Sequence, residues 1–168
     1  MKNLTAEIPQ RAFINAQVIQ RVYDTPAFKA AADEVSRGYG IPDYEFMNPA
    51  DIASLLYCLL VVPRQLFVEG KEDSWDVQVP FGTISSQFTI KTAAPNILQK
   101  SSQFIRKLRN AVAHARFEVD ENLMFVFYDG PPGVVDFEVQ ASADNLMNFL
   151  SVVGSKLANL RSSPSLVQ

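Results

Sequence analysis

The stretch from Asn96 to Arg116 has one dominant period, that of an α-helix. With Arg109 at zero on a wheel of about 100° per residue, Ile97, Leu98, Phe104, Ile105, Leu108, Ala111, Val112 and Ala115 fall between roughly 200° and 340°. The opposite arc carries Gln99, Ser102, Gln103, Arg106, Lys107, Arg109, Asn110 and His114. Such a helix must bury one stripe against other elements and leave a broad, cationic face wet. The fold is therefore built around a packed helix.

The remaining sequence supplies what that helix packs against. Pro9 to Tyr23 has helical spacing through Ala12, Ala16, Ile19 and Tyr23. Thr25-Pro26 is a helix start, a capping hydroxyl followed by proline, and predicts a helix to about Arg37 ended by Gly38 or Gly40. Ile41 to Met47 reads as a loop. Asn48-Pro49 opens a strongly apolar helix through Ile52, Leu55, Leu56, Leu59 and Leu60, the expected central core helix, which Pro63 kinks or stops. Cys58 within it reads as an inert thiol.

Glu69 to Pro95 carries little pattern; Trp75 and Phe81 are expected in the core and Phe88 to Lys91 as a short strand. Three β-rich runs follow the main helix: Phe117 to Val119, Leu123 to Tyr128 and Val134 to Gln140. Asp120-Glu121-Asn122 and Asp129-Gly130-Pro131-Pro132-Gly133 separate them as turns. Ser142 caps a final helix through Leu160. The expected fold is mainly α, a helical bundle with a small antiparallel β-meander inserted before the C-terminal helix. One domain over residues 1–161 is expected, with 162–168 as a flexible tail.

Composition excludes several functions. No apolar run approaches the roughly 18 residues of a membrane span. The N-terminus, Met1-Lys2-Asn3-Leu4-Thr5, lacks a secretory apolar core. One cysteine and one histidine rule out an intrachain disulfide and leave too few soft ligands for a zinc cage. The chain is thus expected to be cytoplasmic, without metal or cofactor. It has 15 basic and 18 acidic residues, which argues against indiscriminate nucleic-acid binding. Charge is nevertheless segregated: from Lys91 to Phe117 there are basic residues at 91, 100, 106, 107, 109 and 116 and no acid. Such a segment can focus an anionic ligand, or simply be a solvated helix face.

The motif lies in that segment. Arg109-Asn110-Ala111-Val112-Ala113-His114 resembles the Arg-x(4–6)-His signature of HEPN domains, including the polar residue after the arginine. The apolar and basic run before it, Phe104-Ile105-Arg106-Lys107-Leu108, and the short strands with a closing helix resemble a bacterial, often plasmid-borne HEPN subgroup. The resemblance spans roughly residues 48–160 by pattern. It implies a small helical bundle, commonly dimeric, from toxin–antitoxin, defence or RNA-processing systems, with an antitoxin protein as a possible partner. Many such proteins are metal-independent endoribonucleases.

The residues themselves support that chemistry. His114 is the only side chain here whose ordinary pKa lies near neutrality, and so the candidate proton carrier. Arg109 would neutralise charge on a phosphate in transfer. Asn110, one turn before His114, would orient the imidazole or hold a phosphate oxygen. Arg106, Lys107 and Gln103 would grip the RNA backbone. One histidine cannot easily be both acid and base, so a homodimer packing the Arg109–His114 helix faces together is expected. Two other readings compete: a non-catalytic module binding RNA, a nucleotide or a protein partner, and a structural helix whose Arg109 and His114 bond carbonyls or acids such as Asp129 or Asp136.

Overall fold

A computed structural model describes residues 8–41, 49–61 and 72–160. The N-terminal half is helical: α1 (Ile8–Val22), α2 (Pro26–Gly38) and α3 (Pro49–Leu56). Thr25 caps α2 as its sequence predicts, its Oγ1 accepting from the Phe28 N–H at 3.3 Å. α3 widens into a π-helical turn, Tyr57–Val61. This departs from the single regular helix expected there. The turn still delivers the core: Ile52, Leu56, Leu59 and Leu60 are all buried. Cys58 is half-buried, and burial pushes its thiol pKa up, in keeping with an inert side chain. Asn48, Pro63, residues 42–47 and the 161–168 tail lie outside the described residues.

The stretch with little pattern contains two short helices, α4 (Glu72–Gln78) and α5 (Phe81–Ser85), and a strand, β1 (Thr89–Ala93). Trp75 is buried, and Phe81 is half-buried with its ring edge-on to Phe104 at 5.7 Å. Next come α6 (Ser101–Ala113), β2 (Phe117–Val119), β3 (Met124–Asp129), β4 (Phe137–Ser142) and α7 (Ala143–Leu160). Ser142 Oγ caps α7 by accepting from the Asn145 N–H at 3.2 Å.

The sheet is antiparallel and runs β1-β4-β3-β2. The expected meander is present, and β1, from before α6, adds a fourth strand against β4. β4 begins at Phe137 and not at Val134, because the turn after Gly130 carries Val134 and Val135 out to solvent. Period-two alternation sets the inner face. Phe125, Phe127 and Asp129 point inward from β3, and Phe137, Val139 and Ala141 from β4.

α6 packs on β3 and α7 on β4. Fully buried Phe104 on α6 sits at the centre, edge-on to Phe88 at 5.1 Å and to Phe137 at 5.4 Å. Each such ring removed from water contributes about 1.5–3 kcal/mol. α1 lies against α7 at Gly154, where a Cβ would run into the Phe13 ring.

Candidate active site

The main helix is shorter than its sequence period. Asn96 to Gln99 form a turn, and α6 runs only from Ser101 to Ala113. Its start is fixed from outside. Asp76 on α4 accepts from the Ser102 N–H at 2.6 Å, from Ser102 Oγ at 2.9 Å and from Ser101 Oγ at 2.8 Å. A carboxylate thus caps the helix from another element. Ser102, which the wheel put on the wet arc, is buried by this contact.

The other end is a left-handed stop. His114 is the C-cap, its N–H donating to the Asn110 carbonyl at 3.0 Å. Ala115 has φ +51°, its N–H reaching Val112 O at 3.2 Å, and the Arg116 N–H returns to Ala111 O at 2.7 Å. This is the Schellman arrangement, with alanine where glycine is usual. The chain then turns directly into β2. His114 is therefore exposed at the lip of the helix and not on a continuing helical face. Among the described residues its ring makes no hydrogen bond or ion pair.

Beside this turn lies a buried charge cluster. Asp129, at the inward-facing end of β3, is 6 % exposed. Its carboxylate receives Lys107 Nζ at 3.3 Å, Asn110 Nδ2 at 3.2 Å and Arg116 Nη1 at 3.0 Å. Lys107 also holds Asp136 at 2.7 Å, and Arg116 Nη1 donates to Gly130 O at 3.0 Å. Burial pushes the Asp129 pKa up, but bonds from Asn110 and Lys107, the Lys107 charge and the Gly130 N–H outweigh it. Its carboxyl is held below the usual carboxylate range.

These contacts redistribute the expected roles. The Asn110 amide donates to Asp129 and not to the imidazole. Lys107 is committed to two carboxylates, and its side chain is only 14 % exposed. Lys100 pairs with Asp73 at 3.3 Å. The acid-free segment is thus partly neutralised by acids from α4, β3 and the turn before β4. Asp129 and Asp136 do take cationic partners from this segment, but these are Lys107 and Arg116, not Arg109 or His114. Arg106, Arg109 and Gln103 are half-buried. Among the described residues, the Nε atoms of both Arg106 and Arg109 are buried without a hydrogen-bond partner.

Asp76 does not stand out in the sequence, and Asp129 enters there only as an acid that Arg109 or His114 could bond, not as a site residue. Asp129 did leave a signal: it continues the inward register Phe125-x-Phe127-x-Asp129, an acid on the buried face opposite a cationic helix. Asp76 left none, since it lies in a segment without period, 25 and 26 residues from its partners Ser101 and Ser102.

Among the described residues no three His, Cys, Asp or Glu side chains lie together as a metal-holding group. None of their helices is long and apolar enough to cross a membrane. An open groove of about 420 Å³ lies along α2 and the residues after it, lined by Phe28, Ala31, Val35 and Tyr39 among others. It contains no residue of the Arg109–His114 region. A protein-family model described as HEPN pEK499 p136 matches residues 1–163 of the chain. No curated protein and no solved structure matches it.

Proposed function

The chain belongs to the HEPN pEK499 p136 family, and on that premise we propose that it is a metal-independent endoribonuclease acting through Arg109 and His114. The observation that carries this reading is a contrast within one helix end. Among the described residues, Lys107, Asn110 and Arg116 are engaged by Asp129, while the exposed imidazole and the buried Arg109 Nε have no hydrogen-bond partner. The exposed imidazole, left uncommitted beside a saturated cluster, is open to a ligand, and the buried Nε marks Arg109 as a cation not spent on that cluster.

The reaction is an internal transesterification. The ribose 2′-oxygen attacks the adjacent phosphorus and gives its proton to one imidazole acting as base. The P–O5′ bond breaks, and the departing 5′-oxygen takes a proton from a second imidazole acting as acid. A 2′,3′-cyclic phosphate and a free 5′-hydroxyl result. Arg109 neutralises the charge that builds on the non-bridging oxygens. Arg106 and Gln103 line the approach of the backbone, and Lys107, when released from its carboxylates, adds to that grip. The second imidazole is that of another copy: a twofold dimer through the Arg109–His114 end of α6 brings two copies of His114 to one cleft. Such a protein acts in the cytoplasm as a toxin or defence factor, held in check by an antitoxin protein.

The test is labelled single-stranded RNA incubated with the purified protein in excess chelator. Cyclic-phosphate ends from the wild type, lost in Arg109→Ala and in His114→Ala while both stay folded, are the expected outcome. Activity surviving both substitutions, or full activity in a monomer, overturns the scheme. A second reading, an RNA-, nucleotide- or partner-binding module without chemistry, is favoured by one observation. The Asn110 amide is spent on Asp129, so the imidazole lacks its expected orienting partner. Retention of RNA without cleavage is the result that selects it.

A further inference from the structure

We propose that Asp129 is the positioning residue of the His114 turn: its buried carboxylate straps the last turn of α6 to the residue beyond the left-handed stop. The cleavage role of His114 rests on the reading above, but the strap does not. The same carboxylate receives Asn110 Nδ2 at 3.2 Å and Arg116 Nη1 at 3.0 Å. These two residues bracket His114. The Asn110 carbonyl accepts the His114 N–H at 3.0 Å, and the Arg116 carbonyl accepts the Tyr128 N–H at 3.1 Å, next to Asp129 in β3. The helix end, the turn and the strand are thereby closed into one ring of bonds.

The turn needs such a strap. Ala115 sits at φ +51°, a conformation that a side chain disfavours by about 1–2 kcal/mol. A strained residue persists where its surroundings over-determine it. Without the bonds on both sides, Ala115 can relax and His114 loses its fixed exit from the helix. Lys107 has a different part. It charges the cluster from within α6 and keeps a second acid, Asp136, so it does not span the stop.

The sequence has one histidine, so a proton–carbon spectrum of the full chain holds one imidazole Cε1–H signal. That signal is compared in the wild type, Asp129→Asn and Arg116→Gln. The two variants change local charge in opposite senses, so a purely electrostatic effect displaces the signal in opposite directions. Loss of positioning moves both toward the value in the urea-unfolded chain, which is the expected result. Where the wild type cleaves RNA, both variants lose roughly 10- to 100-fold in maximal rate, with the half-saturating RNA concentration little changed. A signal that stays put in both folded variants, or moves in opposite directions, overturns the proposal. Should Asp129→Asn not fold, Asn110→Ala takes its place beside Arg116→Gln: it removes one strap bond without changing charge, so a signal moved toward the unfolded value in both upholds the proposal and one unmoved in Asn110→Ala overturns it. A signal displaced as expected in a protein that never cuts RNA upholds the strap and removes the ribonuclease reading.

Discussion

Arg116 and Asp129 meet at 3.0 Å just beyond the left-handed Ala115, the first a half-exposed cation and the second a buried acid. The contact ties the strand end of the sheet to the point where the chain leaves α6. Removing the acid costs a largely buried lysine one of its two carboxylates and a half-buried amide its acceptor. Asp129→Asn should lower unfolding stability by roughly 3 kcal/mol, with Asp136 retained by Lys107 limiting the loss. Urea unfolding followed by circular dichroism measures it, and a change under half that size contradicts the account.

The same acid sets a pH dependence. Its native pKa lies below its unfolded value, so its contribution is complete above the ordinary carboxylate pKa near 4 and disappears as pH falls through the lower native value. The wild type should lose more of its melting temperature than Asp129→Asn between about pH 5 and pH 2. Parallel curves for the two proteins would contradict the depressed pKa.

Ala115 carries conformational strain that glycine would not. Ala115→Gly should raise stability by about 0.5–1 kcal/mol, the left-handed penalty less the added freedom of the unfolded chain. Ala115→Val should be destabilising, since a β-branched residue tolerates φ +51° least. Thermal melts of the two variants in opposite directions from the wild type are the expected pattern.

Arg106 and Lys107 are neighbours in sequence with different expected phenotypes. Arg106→Gln should reduce the salt dependence of single-stranded RNA binding by about 0.7 in log–log slope if it contacts one phosphate. Lys107→Ala should chiefly lower stability, by roughly 3 kcal/mol, because it strips a cation from Asp129 and Asp136. Anisotropy titrations across salt, paired with melts, separate the two effects.

Gly154 is needed for the closeness of α1 to α7. A Cβ there meets the Phe13 ring, so Gly154→Ala should cost about 1–3 kcal/mol in spite of alanine's better helix propensity. Combining it with Phe13→Leu should recover part of the loss. No recovery would place the cost elsewhere.

What could be read from residue order was what depends on neighbours a few positions apart. The helical period through Ser101 to Ala113, the Thr25 and Ser142 caps, the apolar run through Leu60 and the turn at Gly130 to Gly133 are all local, and all are present. So is the motif that resembled HEPN domains, and the family model covers it. The ends of α6 were not legible, because Asp76 fixes one and the β2–β3 pairing draws the chain away at the other. Nor was the distribution of roles among Arg106, Lys107, Arg109, Asn110 and His114. A wheel says which side of a helix a residue occupies, but not which acid the fold brings to it.

The chain order by itself determined that a cationic amphipathic helix would carry the single imidazole on its polar side, since that follows from spacing and composition alone. Only the tertiary structure decided which of the polar residues on that helix were spent on Asp129 and Asp136 and which stayed uncommitted. The physical reason is that a buried carboxylate must collect whatever donors the packing places within about 3 Å of it, and packing joins residues that sequence keeps apart.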